Sequence, residues 1–406
     1  MPSYLQWLRF FWLPGLILIL PFAHYLPWLD LGPLYNKQLP FFLLGAALVL
    51  SVLYRSSRVA LASGLFLLLY AATSLGLLPE GVQGLPLYLA LMALNLMLIA
   101  CARDRGALSL IALAWLLVLI AQGMALFLLQ ECCRPLSYQF VLENLPVWVS
   151  EDRDASVILP LLVCVAAAAG ASLLFILFPG PAVAGLFSCT LLLSYGIWTG
   201  LPLVPIASAA GLLLILSLLG AGYEFAFRDA LTGLLSRRAF YYHMLAPGRH
   251  YSLAMIDIDH FKKLNDRFGH QTGDQVLRMV AGLINRHTTG RVFRFGGEEF
   301  AVVIPGRDRM GAEKALGHLC GKIAAYPLRL RAAGRLRDRM IPGRSGQRIK
   351  VTVSIGLTHR EKSLKKPDAV LKAADLALYK AKRSGRNRLC VHVEARDQST
   401  KCKSGT

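Results

Sequence analysis

Apolar residues run almost unbroken through the first 222 positions, in stretches separated by short polar or Pro/Gly breaks. Eight stretches stand out, at about 11–28, 39–54, 59–78, 84–101, 107–129, 155–178, 181–199 and 201–221. Most approach the roughly 20 residues a helix needs to cross a bilayer. The pattern predicts an all-α polytopic membrane bundle of about eight transmembrane helices. The second stretch is short and only Gly200 separates the last two, so six crossings is the alternative. The first stretch does not read as a cleavable leader: it holds Pro14 and Pro21, lacks a small-residue cleavage site and leads straight into further spans.

Beyond residue 222 the pattern changes to short strands and amphipathic helices. Tyr251–Ile258 reads as a buried strand, followed by a helix from His260 to about Phe268. Gly273–His287 reads as a helix with Val276, Met279, Val280, Leu283 and Ile284 on its buried face. A hairpin of Val292–Phe295 and Phe300–Ile304 comes next. Arg309–Ala325 reads as a helix, Ile349–Leu357 as a strand, Asp368–Lys382 as a helix and Leu389–Val393 as a last strand. The order β-α-β-β-α-β with extra helices predicts an α+β ferredoxin-like domain. Asp229 and Thr232 read as turn and cap residues before a helix through about Leu245. The expected division is a membrane region at 1–222, a short junction at 223–228, a catalytic-type domain at 229–393 and a disordered tail at 394–406.

Charge sharpens this division. Residues 1–222 hold eight Lys/Arg and eight Asp/Glu, so the whole formal +20 falls in residues 223–406. With the N-terminus inside, the inner loops carry Arg9, Arg55, Arg58, Arg103 and Arg105, the asymmetry expected of a cytoplasmic face. Eight crossings return the chain to that face, which places the basic domain beside an anionic inner leaflet. The expected location is the cytoplasmic (inner) membrane of a bacterium, with the lipid bilayer as partner. No Asp, Glu, Lys, Arg or His lies deep in a span, which counts against ion transport. Asn95 and Gln122 are polar within spans, and helix–helix hydrogen bonds would account for them. The eight cysteines show no metal-ligand spacing; Cys320, Cys390 and Cys402 in the basic half suggest a reducing compartment.

Candidate chemistry centres on Arg294-Phe-Gly-Gly-Glu-Glu-Phe300. The Gly296-Gly297 pair is expected to supply the positive φ of a tight turn, and the adjacent Glu298 and Glu299 call for a cation nearby. Taken alone, a solvated acidic turn explains them. Asp257 is a carboxylate at the tip of an otherwise buried strand, whereas Asp259 fits the N-cap of the next helix. Backbone N–H groups around Phe261 and Lys262 would favour an anion. Carboxylate and phosphate at one place suggest Mg²⁺. Lys382 and Arg386, taken alone, read as basic residues at a helix C-terminus.

Several ordered motifs together resemble the GGDEF family of diguanylate cyclases. They are Asp229-x-Leu-Thr-Gly-Leu, Asp257-Ile-Asp-His-Phe-Lys-Lys-Leu-Asn265-Asp, Phe268-Gly-His-x-x-Gly-Asp274, Arg294-Phe-Gly-Gly-Glu-Glu-Phe300, Val351-Thr-Val-Ser-Ile-Gly356 and Asp375-x-Ala-Leu-Tyr-x-Ala-Lys382-x-x-Gly-Arg386-Asn387. The resemblance covers about residues 225–393. It implies a nucleotidyltransferase that joins two GTP into cyclic di-GMP and two pyrophosphates at the interface of a homodimer. It further implies Mg²⁺ or Mn²⁺, two ions per site, held by Asp257, the Ile258 carbonyl, Glu298 and Glu299. Glu298 and Glu299 would be catalytic. Phe261 (by its N–H), Lys262, Lys382 and Arg386 would hold phosphates, and Asn265 and Asp274 would contact guanine.

The resemblance has departures. Members with a product-inhibition site carry Arg-x-x-Asp before the hairpin; His287 and Gly290 stand there instead, so no such site is expected. The stretch 327–350 is basic and longer than the family leads one to expect. A solvated loop or hairpin, a lipid-facing patch and a docking element all fit it, while the lack of any aromatic residue argues against nucleic acid. A catalytically silent module that senses nucleotides or binds proteins is the alternative to a working cyclase. The retained Asp257, Glu298, Glu299, Lys382 and Arg386 weigh against it.

Overall fold

The computed structural model describes residues 10–23, 32–77, 85–102, 104, 109–132, 155–329, 348–360, 366–392 and 402–404. The chain forms two compact units, Met1–Tyr223 and Glu224–Thr406.

The first unit is helical. Its helices are α1 (Trp12–Ala23), α2 (Leu39–Leu53), α3 (Ser57–Ser74), α4 (Leu85–Cys101), α5 (Leu110–Cys132), α6 (Ala155–Leu177), α7 (Pro181–Thr199) and α8, which begins the run Leu203–Phe227. Helix α4 packs on α6 and α7, α6 on α7, and α2 on α3. The apolar core includes Phe66, Leu96, Leu186, Leu193 and Ile206, each almost fully buried. Four helical stretches are long and apolar enough to cross a membrane: Ser57–Ser74, Pro160–Leu177, Pro181–Thr199 and Leu203–Phe227. Four of the eight expected spans thus meet this criterion among the described residues. Shorter apolar stretches within the same described residues are Leu39–Leu53, Pro86–Cys101 and Leu113–Ala125, and the first run is helical over Trp12–Ala23.

One tie in this unit is not apparent from hydropathy. Asp104 accepts from the Ser56 hydroxyl at 2.8 Å, the Ser57 N–H at 2.6 Å and the Ser57 hydroxyl at 2.8 Å. A carboxylate there satisfies donors at the positive end of α3. Arg58 Nε donates to the Ala102 carbonyl at 2.7 Å, closing the same loop from the other side.

The second unit is built on a seven-stranded sheet. Its elements are β1 (Leu235–Ser236), α9 (Arg237–Met244), β2 (Tyr251–Ile258), α10 (Phe261–Phe268), α11 (His270–His287), β3 (Arg291–Arg294), β4 (Glu299–Pro305) and α12 (Arg309–Ala325). These are followed by β5 (Leu328–Arg329), β6 (Arg348–Ile349), β7 (Val353–His359), α13 (Pro367–Arg383), β8 (Arg388–Val391) and β9 (Cys402–Ser404). The sheet order is β1-β3-β4-β2-β7-β8-β9. Its centre, β3-β4-β2-β7, is antiparallel throughout. That is the expected ferredoxin-like arrangement, with β8 added parallel to β7.

Every residue of β2 is buried, because both faces of the strand are covered. Ala254, Ile256 and Ile258 join one core with Val276, Val280 and Ile284 of α11 and Leu316 and Leu319 of α12. Leu253 and Met255 join the other with Phe240 of α9 and Ala374 and Leu378 of α13. The two-residue period of a strand thus feeds two cores from one run.

Three expectations change here, and the hairpin reading of the basic segment gains support. The strand expected over Ile349–Leu357 is split into β6 and β7, because Thr352 turns its carbonyl and hydroxyl to Asp259. The tail is not wholly without structure: Cys402–Ser404 pairs antiparallel with β8, supplying partners to an otherwise open sheet edge. The basic segment is closed at its base by β5–β6 pairing, while residues 330–347 lie outside the described residues. Cys320 is a free thiol, pushed up to about 12 by burial, whereas Cys390 is disulfide-bonded, against the expectation of reduced cysteines.

Candidate active site

The site forms where β2 ends against the β3–β4 hairpin. Antiparallel register sets Asp257 opposite Glu299, and the Ile258 N–H donates to the Glu298 carbonyl at 3.3 Å. Asp257 is only 4 % exposed. Burial pushes its carboxyl above the ordinary range, and the nearby Lys382 offsets this only in part. Glu298 is also held high, by burial first and then by the Asp257 charge. Asp257 is itself raised further by the Glu299 charge, so these carboxylates are close enough to feel one another. Asp375 of α13, likewise raised by burial and then by Glu299, extends the acidic group.

The hairpin is closed differently from expectation. Phe295 and Gly296 both donate their N–H to the Glu299 carbonyl, at 2.8 and 3.1 Å. Neither Gly296 nor Gly297 takes a positive φ. A Cβ at Gly296 would lie 2.5 Å from Glu299 Oε2, so a side chain there would push that carboxylate aside. Arg294 does not neutralise the glutamates. Its Nη1 reaches both Asp229 oxygens at 2.9 Å, and its Nη2 reaches the Gly297 carbonyl at 2.9 Å. Asp229 also accepts from the Thr232 N–H and hydroxyl at 2.8 and 2.6 Å, which confirms the turn expected there. The cap of α9 is Ser236, not Thr232: its hydroxyl accepts from Ala239 N.

The cation at the acidic group is Lys382, whose Nζ lies 2.8 Å from Asp257 Oδ2. Arg386 stands just beyond α13 in a turn of three left-handed residues, Gly385, Arg386 and Asn387. Two of these are not glycine, a conformation that L residues seldom adopt.

Asp259 is the residue whose part composition and spacing misassigned. It does not cap α10; His260 does, with φ of 57°. Instead Asp259 accepts from Thr352 Oγ1 and Ser354 Oγ at 2.7 Å each and from the Asn387 N–H at 3.0 Å. It thereby fixes the left-handed turn that carries Arg386. A second acid two residues after Asp257, on the same strand tip, was the only hint in the sequence.

Phe261 and Lys262 open α10, where first-turn N–H groups lack intrahelical acceptors. Asn265 of α10 lies over Gly273 of α11, where any side chain would collide with its amide. Asn265 Oδ1 is buried without a hydrogen-bond partner among the described residues. Asp274 follows Gly273 directly, half-buried on the helix against which α10 packs. His287 and Gly290 are elsewhere, around the end of α11. His287 Nδ1 is 3.2 Å from Lys322 Nζ, and a Cβ at Gly290 would stand 2.5 Å from the Val303 carbonyl oxygen.

Among the described residues no group of three or more His, Cys, Asp or Glu is gathered closely enough to hold an ion alone. Asp257, Glu298, Glu299 and the Ile258 carbonyl are hard oxygen donors at one strand tip. That set fits an ion shared with substrate phosphates, the usual manner of Mg²⁺, rather than a closed protein cage.

Comparison with known proteins places this unit. Residues 226–388 match the family model described as "Diguanylate cyclase, GGDEF domain". The uncharacterized protein YhcK of Bacillus subtilis is 37% identical over 180 residues, 41% of this chain and 46% of that one. Diguanylate cyclase DgcP of Pseudomonas aeruginosa is 37% identical over 175 residues, 41% of this chain and 24% of that one. The chain thus spans less than half the length of these curated relatives. The solved GGDEF domain of DgcB from Caulobacter crescentus in complex with c-di-GMP is 34% identical, covering 41% of this chain and 96% of that one; its TM-score of 0.37 is too low to bear on the fold. Residues 226–388 of this chain are a GGDEF domain.

Proposed function

We propose that the chain is a membrane-anchored diguanylate cyclase of the bacterial inner membrane, with residues 1–222 as the anchor and 229–393 as the catalytic domain. The observation that carries this reading is the pairing of Asp257 with Glu299 across β2 and β4, with Glu298 beside them and Lys382 within reach. Mutually repelling carboxylates held at a strand tip beside a lysine ammonium favour a working site over a silent module.

In this reading each domain binds one GTP and two domains face one another in a homodimer. The 3′-hydroxyl of one GTP attacks the α-phosphorus of the other; a P–O bond forms and pyrophosphate departs, and the reciprocal attack closes the ring. Mg²⁺ or Mn²⁺, when bound by Asp257, Glu298, Glu299 and the Ile258 carbonyl, supplies positive charge to the phosphates. Glu298, its carboxyl raised by burial and the Asp257 charge, takes the proton of the attacking hydroxyl. Lys262, Lys382, Arg386 and the N–H groups at Phe261 hold the β- and γ-phosphates. Asp274 accepts from the guanine ring N–H and amine, a donor pair adenine lacks, and the unpartnered Asn265 Oδ1 accepts beside it.

The test is to incubate the purified full chain with Mg²⁺ and either GTP or ATP. GTP alone should yield the cyclic dinucleotide, and Asp274→Ala should lose most of the preference. Equal turnover of ATP would remove the assigned guanine contacts. No product from either would favour the silent module.

A further inference from the structure

Within the first unit, α3, α4 and α5 surround a cavity of about 310 Å³. Its walls are aliphatic apart from two residues of α4, Tyr88 near its start and Asn95 in its middle. Asn95 is 2 % exposed. Asn95 Oδ1 has no hydrogen-bond partner among the described residues, so the helix–helix hydrogen bond expected for this acceptor is not formed there. Leu68, Ile120 and Met124, which also line the cavity, are each about half exposed, at 48, 45 and 55 %. The mouth therefore opens on an apolar flank.

A buried amide oxygen left unpaired is costly, and the natural remedies fail here. A water molecule needs two to four polar partners, and this wall offers few. A bare acyl chain fills the space but brings no donor. A second apolar helix would bring none either.

We propose that this cavity binds a small amphiphile, an aliphatic body carrying one hydrogen-bond donor, which it presents to Asn95 Oδ1. The aliphatic part lies along Leu65, Leu69 and Leu119, and the ligand enters from the apolar flank. A volume near 300 Å³ is at the lower end of small-molecule sites, which favours a short chain over a whole phospholipid. The inference does not depend on what the second unit catalyses.

Decanol, with an alkyl body and a hydroxyl donor, and decyl methyl ether, with the donor removed, are suitable probes. Binding of each to the full chain in lipid nanodiscs would be measured by native mass spectrometry. Decanol should bind saturably, one per chain, and about tenfold more tightly than the ether. Asn95→Leu should erase that preference while leaving the ether unaffected. Gly123→Phe should abolish decanol binding with the circular-dichroism melt unchanged. Gly123 lines the cavity and a Cβ there meets nothing within 4 Å, so the added ring fills the space. Equal binding of alcohol and ether, or decanol binding unchanged in both variants, would mean partition into lipid and overturn the proposal.

Discussion

Lys382 Nζ sits 2.8 Å from Asp257 Oδ2, so the end of α13 is tied to the tip of β2 by one half-buried ion pair. The lysine faces two ways. It neutralises a carboxylate that would otherwise be stranded in the core, and on the proposed reading it must also meet a phosphate. Lys382→Met should leave Asp257 buried and unpaired, a change that costs about 3 kcal/mol or more at a fully buried site and less here because Lys382 is about one-third exposed. Hydrogen exchange of strands 251–258 and 299–305 in the full chain should speed up at neutral pH and recover when the pH is lowered. Unchanged exchange would show that the pair contributes nothing.

The pH dependence of the wild type has a definite sign. Burial raises both Asp257 and Glu298 above their ordinary values. A group whose pKa is higher in the fold stabilises it fully below the unfolded value and loses that contribution as pH rises through the raised one. The β2 tip should therefore be tightest in mild acid and loosen towards neutrality. Asp257→Asn should flatten this trend in hydrogen exchange. Asp229 behaves oppositely: burial acts to raise it, but the hydrogen bonds from Thr232 and Arg294 outweigh burial and leave it below its usual value. Its contribution is present above the unfolded value and fades as pH falls through the folded one.

Asp259 should act by positioning. Removing its three hydrogen-bond partners at once with Asp259→Ala frees the Arg386 turn. If Arg386 serves phosphate binding, KM for GTP should rise about tenfold, the scale of losing a hydrogen bond to a charged group, with a smaller fall in kcat. Loss of kcat alone would place Asp259 in the chemistry.

Product inhibition should be absent at the position before the hairpin. The turnover of the purified chain should be insensitive to micromolar cyclic di-GMP. Gly290→Asp combined with His287→Arg should not create inhibition, because a Cβ at 290 would collide with the Val303 carbonyl oxygen. Strong non-competitive inhibition of the wild type would contradict this.

Much of the second unit was legible because its signals are local. The unbroken apolar run 251–258, the helical face of Val276, Val280 and Ile284, and the hairpin residues each needed only their own neighbourhood. Asp257 stood out because a carboxylate at a buried strand tip has no local reason. What escaped depends on distant partners. Asp259 looked like a cap because its partners Thr352, Ser354 and Asn387 lie about a hundred positions away. Gly296 looked like a positive-φ turn glycine because the closure of the hairpin onto the Glu299 carbonyl cannot be read from spacing. Pairing of Cys402–Ser404 with β8 escaped for the same reason, since an open sheet edge exists only once the sheet is formed. In the first unit hydropathy located the helices but not Asp104 on the serines of α3.

The central claim is that Asp257, Glu298 and Glu299 form one catalytic group, and product formation tests it most directly. The full chain, Glu298→Ala and Glu299→Ala would each be incubated with GTP and Mg²⁺ and assayed for cyclic di-GMP and pyrophosphate. The wild type should form both, one dinucleotide for two pyrophosphates. Each variant should fall at least about a hundredfold, as expected when a group acting on the transition state is removed, with hydrogen exchange of the sheet preserved. Variants that turn over like the wild type, or a wild type that makes no product, would contradict the account.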